Sequence, residues 1–375
     1  MGNVMGIIFA NSHDESVHEL TTVRTMGSVP FGGRYRMIDF PLSNMVNSGI
    51  TTVGVITRSN YLSLLDHLKS GREWDLLRKD GGLRVLPPFS RAGTGMYRGS
   101  MEALAGAIGF IRETNAEYVV MSDCDIVANI DYRSIVESHI KSCADITSVY
   151  FKESCVGPAL RNKTVYNLGS DGRIEEMLIN PELPGVGERE YNISADMYVI
   201  KKALLEDIIL EASAKNFLSF EIDVLQKKLS DMVIKGYEFD GTYEHIDTIL
   251  GYFNSNMNML DPHKRKKIFL PEAPIYTKVR DEVPVKYGLD SKVKNSLIAD
   301  GCIIEGEVEN CILFRGVTIG KGASVKNSII MQGTSIGQGS TVNYTITDKD
   351  VTIEENRSLQ GSDKYPVYIN KGATV

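Results

Sequence analysis

Four stretches near the C-terminus repeat one pattern: VKNSLIADGCII from Val293, VENCILFRGVTI from Val308, VKNSIIMQGTSI from Val325 and VNYTITDKDVTI from Val342. Their starts are 15, 17 and 17 residues apart, and each copy places an isoleucine eleven residues after its valine, at Ile304, Ile319, Ile336 and Ile353. Aliphatic side chains also recur in six-residue steps, through Leu313, Ile319 and Val325 and again through Ile330, Ile336 and Val342. A triangular parallel β-helix demands this spacing, because each six-residue side turns one aliphatic residue inward and each coil stacks on the one before.

Hexapeptide coils of this kind often belong to acyltransferases that use a histidine as general base. No histidine follows His263 here, so that reading lacks its base and the coils read as a stacking and assembly module.

The rest of the chain has another rhythm. Val4 to Ala10, Thr52 to Thr57, Tyr118 to Ser122 and Thr147 to Phe151 read as strands separated by helical patterns. That alternation predicts a mostly parallel α/β sheet with both faces covered and ligands at the strand ends. The boundaries predicted are a first domain over 1–262, a linker over 263–290 containing the Pro-bearing run Phe269 to Pro284, and a β-helix over 291–375. A net charge of −7 argues against a nucleic-acid footprint. Five cysteines without a CxxC spacing argue against a disulfide frame or a zinc-ribbon site. No run approaches a membrane span, and the N-terminus lacks a leader pattern, so a cytoplasmic protein is expected.

Within the first domain, VPFGGRYRMIDFPLSNMVNSGI (Val29 to Ile50) resembles the glucose-1-phosphate adenylyltransferase (ADP-glucose pyrophosphorylase) family. YRGSMEAL (Tyr97 to Leu104) and TILGYFNSNMNML (Thr248 to Leu260) are similar to further stretches of it, so the resemblance covers nearly the whole chain. It implies a Rossmann-like nucleotidyltransferase domain followed by a left-handed parallel β-helix. The activity it implies is magnesium-dependent transfer of AMP from ATP to glucose 1-phosphate.

The chain departs from that family at the positions that carry the chemistry. The family loop LAGGxGxRLxxLTxxRAKPAV aligns without gaps on Phe9 to Val29. Its glycines fall on Asn11, Ser12 and Asp14, its arginine on Ser16 and its lysine on Met26, leaving Arg24 as the retained cation. Glycines there let backbone N–H groups approach a triphosphate, whereas Asp14 and Glu15 are expected to bring negative charge toward it. The SGDH segment becomes SDCDI, with Asp123 or Asp125 as residual metal candidates. The DVGT aspartate becomes His245, with Asp247 two places on. The glucose-phosphate lysine lies at Asn180, and Asp196 and Glu221 stand where glycines are expected.

The resemblance therefore points to the D-type, non-catalytic subunits of bacterial ADP-glucose pyrophosphorylase. No cofactor is expected for this chain itself, and magnesium is expected for a catalytic partner in a hetero-oligomer. Arg24, Arg34, Arg36, Gly99 and Ser100 are residual candidates for binding a nucleotide or a sugar-phosphate effector, with Val23 replacing a neighbouring lysine. A weakly active adenylyltransferase using Asp125 and Asp247, and a stand-alone nucleotide or sugar-phosphate sensor, are the alternatives.

Overall fold

The computed structural model describes residues 3–88, 97–182 and 187–375. Val4–Phe9 lies between Tyr118–Ser122 and Thr52–Ile56, and Thr52–Ile56 pairs in turn with Gly82–Leu86, all in parallel. These central strands are apolar without interruption because both faces are covered. Met5 and Ile7 enter one hydrophobic core while Val4 and Ile8 enter the other.

The alternation predicts a mostly parallel sheet, and the sheet is instead mixed. Arg189–Lys201 runs antiparallel to Tyr118–Ser122 on one side and to Ile146–Cys155 on the other. The segment leading into it contains the antiparallel strands Thr164–Leu168 and Ile174–Ile179. A hairpin stands there in place of a crossover helix, and short connections join strands only in antiparallel fashion. Apolar periodicity does not record strand direction.

The C-terminal part forms three five-stranded parallel sheets, a β-helix of five coils. The sequence repeat becomes ladder register residue by residue. Val293 pairs with Val308, Val308 with Val325 and Val325 with Val342. Ile304, Ile319, Ile336 and Ile353 form a second column. Leu313, Ile319, Val325, Ile330, Ile336 and Val342 are all buried inside. One corner carries an asparagine ladder: Asn295 donates to Asn310 at 2.8 Å, Asn310 to Asn327 at 3.2 Å and Asn327 to Asn343 at 3.0 Å. The first three sit at positive φ (42°, 52° and 46°), a conformation asparagine tolerates.

Both ends of the stretch read as a linker are structured. Pro262–Ile268 is a helix that buries Ile268, and Lys286–Tyr287 already pairs with Ile303–Ile304 as the first strand of the β-helix. Tyr287 is not aliphatic, which hides that position from the repeat.

The β-helix packs on the first domain. Ile312, Phe314, Ile329, Met331 and Ile346 join the core that contains Phe31, Phe40 and Phe253. Gly32 and Gly33 adopt φ of 59° and 86° in the turn after Phe31, and the Gly32 N–H donates to Asn256 Oδ1 at 2.9 Å. Asp348 of the β-helix accepts two hydrogen bonds from Arg24, at 2.6 and 2.8 Å, and both side chains are buried. Tyr368 Oη adds a third at 2.9 Å. Among the described residues no helix is long and apolar enough to cross a membrane.

Candidate functional site

The C-terminal ends of the parallel strands open into a cleft of about 710 Å³. At its floor stands His13, from the loop after the first strand. His13 Nε2 lies 2.9 Å from Asp123 Oδ2, 3.5 Å from Asp125 Oδ2 and 3.7 Å from Asp196 Oδ2. His245 Nε2 approaches Asp125 Oδ2 from the other side at 3.0 Å. Burial opposes charge on His13, but Asp125, Asp123 and Asp196 outweigh it and hold its pKa well above the ordinary 6.5. His245 is raised in the same way, its burial overcome by Asp125. Asp125 is buried too, yet the two imidazoles pull its carboxyl down to about 2. Asp123 is pushed up to about 7 by burial and by the adjoining Asp125 and Asp196, against the pull of His13.

Asp196 reaches this cluster through the backbone. The register between Arg189–Lys201 and Ile146–Cys155 shifts between Ser194 and Tyr198, and Asp196 sits in the irregularity at φ 49°. Bulges of this type re-aim a side chain, here a carboxylate from a conformation that glycine adopts most readily. Asp247 accepts from Thr248 Oγ1 at 3.3 Å and acts on the cluster only at a distance, adding to the pull of Asp125 on His245.

The loop itself is closed by its own side chains. Asn11 Nδ2 donates to Asp14 Oδ2 at 2.5 Å, and Asn11 Oδ1 accepts from the Arg58 N–H at 2.7 Å. Ser12 Oγ donates to Asp123 Oδ1 at 3.0 Å. Asp14 does not face the cleft as the sequence suggests. Its Oδ1 accepts from the Met26 N–H at 2.7 Å, fastening the loop to the turn Met26–Ser28, and burial raises its pKa to about 6. Glu15 and Ser16 do line the cleft, while the Met26 side chain is packed in the core.

Gly99 and Ser100 line the cleft but are engaged by the chain. Ser100 Oγ accepts from the Phe220 N–H at 2.8 Å, and Met101 N–H donates to Leu218 O at 2.9 Å. Leu218–Phe220 thus covers the start of the helix Ser100–Glu113, where a phosphate would dock. Asn180 is exposed at the rim, and Glu221 adds a further carboxyl to the lining.

Magnesium calls for near-octahedral oxygen ligation. Two of the five converging groups here are imidazoles, and the His13 nitrogen already occupies the space among the carboxylates, so these residues do not fit that ion. His13 was not singled out from sequence. Its only signal is an imidazole between the second and third altered glycines, in a loop at the same sheet edge as SDCDI.

Arg24 is not a cleft residue, because Asp348 holds it in the interdomain contact. Arg34 and Arg36 open instead into a second pocket between the two domains. Lys278, Arg280, Arg315 and Lys349 join them there, and among the described residues no acidic residue lines it, although Lys278 pairs with Asp66 at 2.9 Å and Arg315 with Asp300 at 3.1 Å. Burial and the charges of Arg24 and Arg280 lower Arg36 to about 10, with Asp39 and Asp66 opposing. Burial, Arg36 and Arg24 bring Lys349 down to about 7. Arg315 Nη2 is buried without a partner. From the sequence, only Arg24, Arg34 and Arg36 near the loop are candidate cations for such a site. The four further cations come from the connector and the coils, beyond the reach of local spacing.

The sequence signature described as nucleotidyl transferase matches residues 5–261, and that of the GlmU-like C-terminal hexapeptide matches 283–365. The chain is 37% identical to the glycogen biosynthesis protein GlgD of Bacillus subtilis over 98% of its own length and 96% of that protein's. It is 36% identical to the GlgD of Geobacillus stearothermophilus, covering 86% and 82% of the two chains. It is also 35% identical to a glucose-1-phosphate adenylyltransferase of Clostridium perfringens, over 86% of this chain and 82% of that one.

Proposed function

The chain belongs to the nucleotidyl transferase family, in the branch that holds GlgD proteins and glucose-1-phosphate adenylyltransferases, and we propose that it is a non-catalytic, regulatory subunit in glycogen biosynthesis. In this reading it assembles with a catalytic subunit that makes ADP-glucose from ATP and glucose 1-phosphate with magnesium. The observation that carries the proposal is the state of the cleft. Where a triphosphate and its metal would lie, His13 is locked among Asp123, Asp125 and Asp196, and the loop above is tied down by Asn11 and Asp14. Carboxylates oppose an anionic substrate by several kcal/mol per close pair at an effective dielectric of about 20. Each lost charge-stabilising group lowers the rate by about 100- to 1000-fold. The scaffold persists, and a subunit of this kind acts on a partner by binding its active and inactive states with different affinity.

Co-expression of the tagged chain with a full-motif adenylyltransferase of the same organism tests this. The expected result is that the two co-purify. Adding this chain raises the partner's ADP-glucose formation or shifts its response to sugar phosphates, while the chain alone forms none. Absence of association, or robust turnover by the isolated chain, overturns the proposal.

The basic interdomain pocket favours an accompanying role in sensing an anionic effector. A sugar phosphate would bring negative charge to Arg34, Arg36, Arg280 and Lys349 and a partner to the free Nη2 of Arg315, whose Nε already pairs with Asp300 at 3.1 Å. Lys349 is cationic below about pH 7 and neutral above it. Anion affinity should therefore fall, by about tenfold, as pH rises from 7 to 9, a range in which a phosphate monoester is already doubly charged. Calorimetry with fructose 1,6-bisphosphate or glucose 6-phosphate reads this directly, and Arg280→Ala should weaken binding at every pH. Binding that is indifferent to both would remove the effector role.

A further inference from the structure

We propose that Lys349 is a carbamylation site: its amine takes up carbon dioxide, and the carbamate so formed is held by the cations of the interdomain pocket. The inference goes beyond the regulatory reading and does not depend on it. Arg315, Gln332 and Lys349 stand 17 residues apart at one corner of successive coils. The Gly333 N–H donates to Arg315 O at 3.1 Å there, and the Asp350 N–H to Gln332 O at 2.9 Å. Stacked coils lie about 4.8 Å apart, so the three side chains form one column, and all of them line the pocket. Arg34 and Arg36 of the first domain and Arg280 of the connector line the rest of it.

The positive charge collected here is not balanced. Among the described residues, Lys278 and Arg315 are the only lining lysines and arginines with an ion-pair partner, Asp66 and Asp300. His67, which also lines the pocket, is engaged by Asp39, and Asp348 beside Lys349 is committed to Arg24. The Nη2 of Arg315 is buried with no acceptor, which is costly for a charged donor. An anion in the pocket answers both defects, and Lys349 can make one in place. Burial and the charges of Arg36, Arg24 and Lys371, against Asp348, bring its amine to about 7, so much of it is neutral at physiological pH. A lysine desolvated beside other cations is the nucleophilic form. The Nζ lone pair attacks the carbon of carbon dioxide, one C–O π pair moves onto oxygen, and the nitrogen releases a proton to water. The neutral amine becomes an anion, with no oxidant or reductant needed. The free space of about 30 Å³ holds two water-sized oxygens at roughly 10–15 Å³ each, as the new carboxylate requires. Guanidinium groups grip such a planar carboxylate through paired N–H donors.

Carbon NMR of the full chain equilibrated with isotopically labelled bicarbonate near neutral pH tests the site, with alkyl trapping and peptide mass spectrometry to locate the adduct. The expected result is a carbamate resonance distinct from bicarbonate and a trapped adduct on the peptide that contains Lys349. Both should be absent from Lys349→Gln and Lys349→Arg. Lys349→Gln removes a cation from among cations, so the fold tolerates it, and Lys349→Arg keeps the charge while losing the nucleophile. Arg36→Gln should lower the carbamylated fraction at a given carbon dioxide pressure by about tenfold, the scale of one charge-assisted hydrogen bond. Lys286→Gln, at an exposed lysine of the first coil, should change nothing. Absence of a carbamate resonance, or one that survives undiminished in Lys349→Gln as a signal from the terminal amine would, overturns the proposal.

Discussion

Asp348→Ala should lower the stability of the folded chain by about 3–5 kcal/mol, the cost of leaving one partner of a buried ion pair uncompensated. Arg24 is 2% exposed, and Asp348 accepts both of its short hydrogen bonds. Beyond these, among the described residues Arg24 Nη1 reaches only Leu20 O, at 3.2 Å. The ammonium of Lys349 and the guanidinium of Arg36 are also close enough to repel Arg24 once the carboxylate is gone. The double variant Arg24→Met with Asp348→Leu should recover most of the loss, because well-packed apolar residues replace buried ion pairs at little cost. Urea unfolding followed by near-ultraviolet circular dichroism reads the shift in midpoint. An Asp348→Ala protein within about 1 kcal/mol of the parent would show that the pair does not fasten the β-helix to the first domain.

Repairing the loop alone should not create an enzyme. The five changes Asn11→Gly, Ser12→Gly, Asp14→Gly, Ser16→Arg and Met26→Lys restore the family pattern in that segment. They leave His13 and His245 bound to Asp123 and Asp125, and the Asp196 carboxyl still beneath the loop. ADP-glucose formation should stay at least about 1000-fold below that of a full-motif adenylyltransferase, the scale set by one missing charge-stabilising group. Asp14→Gly also removes the acceptor for the Met26 N–H, so the repaired loop should be looser than the parent. Turnover should appear only when His245→Asp and Asp196→Gly are added. Full activity from the loop changes by themselves would contradict the role assigned to His245.

The central strands and the β-helix were legible because their information is local. A side-chain period of six converts directly into coil register, so Val293, Val308, Val325 and Val342 stack as their spacing requires. An uninterrupted apolar run such as Val4–Phe9 marks a strand covered on both faces. The altered positions at Asn11, Ser12, Asp14, Ser16 and Met26 were equally plain. Their consequences were not, since Asp14 turns inward to Met26 and Met26 into the core.

What only the tertiary structure decided was which charges meet. Arg24 finds Asp348 across 324 positions, and His245 finds Asp125 across 120. His13 gathers three carboxylates supplied by two other segments. Strand direction, too, was set by the hairpin that precedes Arg189–Lys201. Electrostatic energy depends on separation in space, on the order of 4 Å for a strong pair, and the order of residues along a chain carries no measure of that separation.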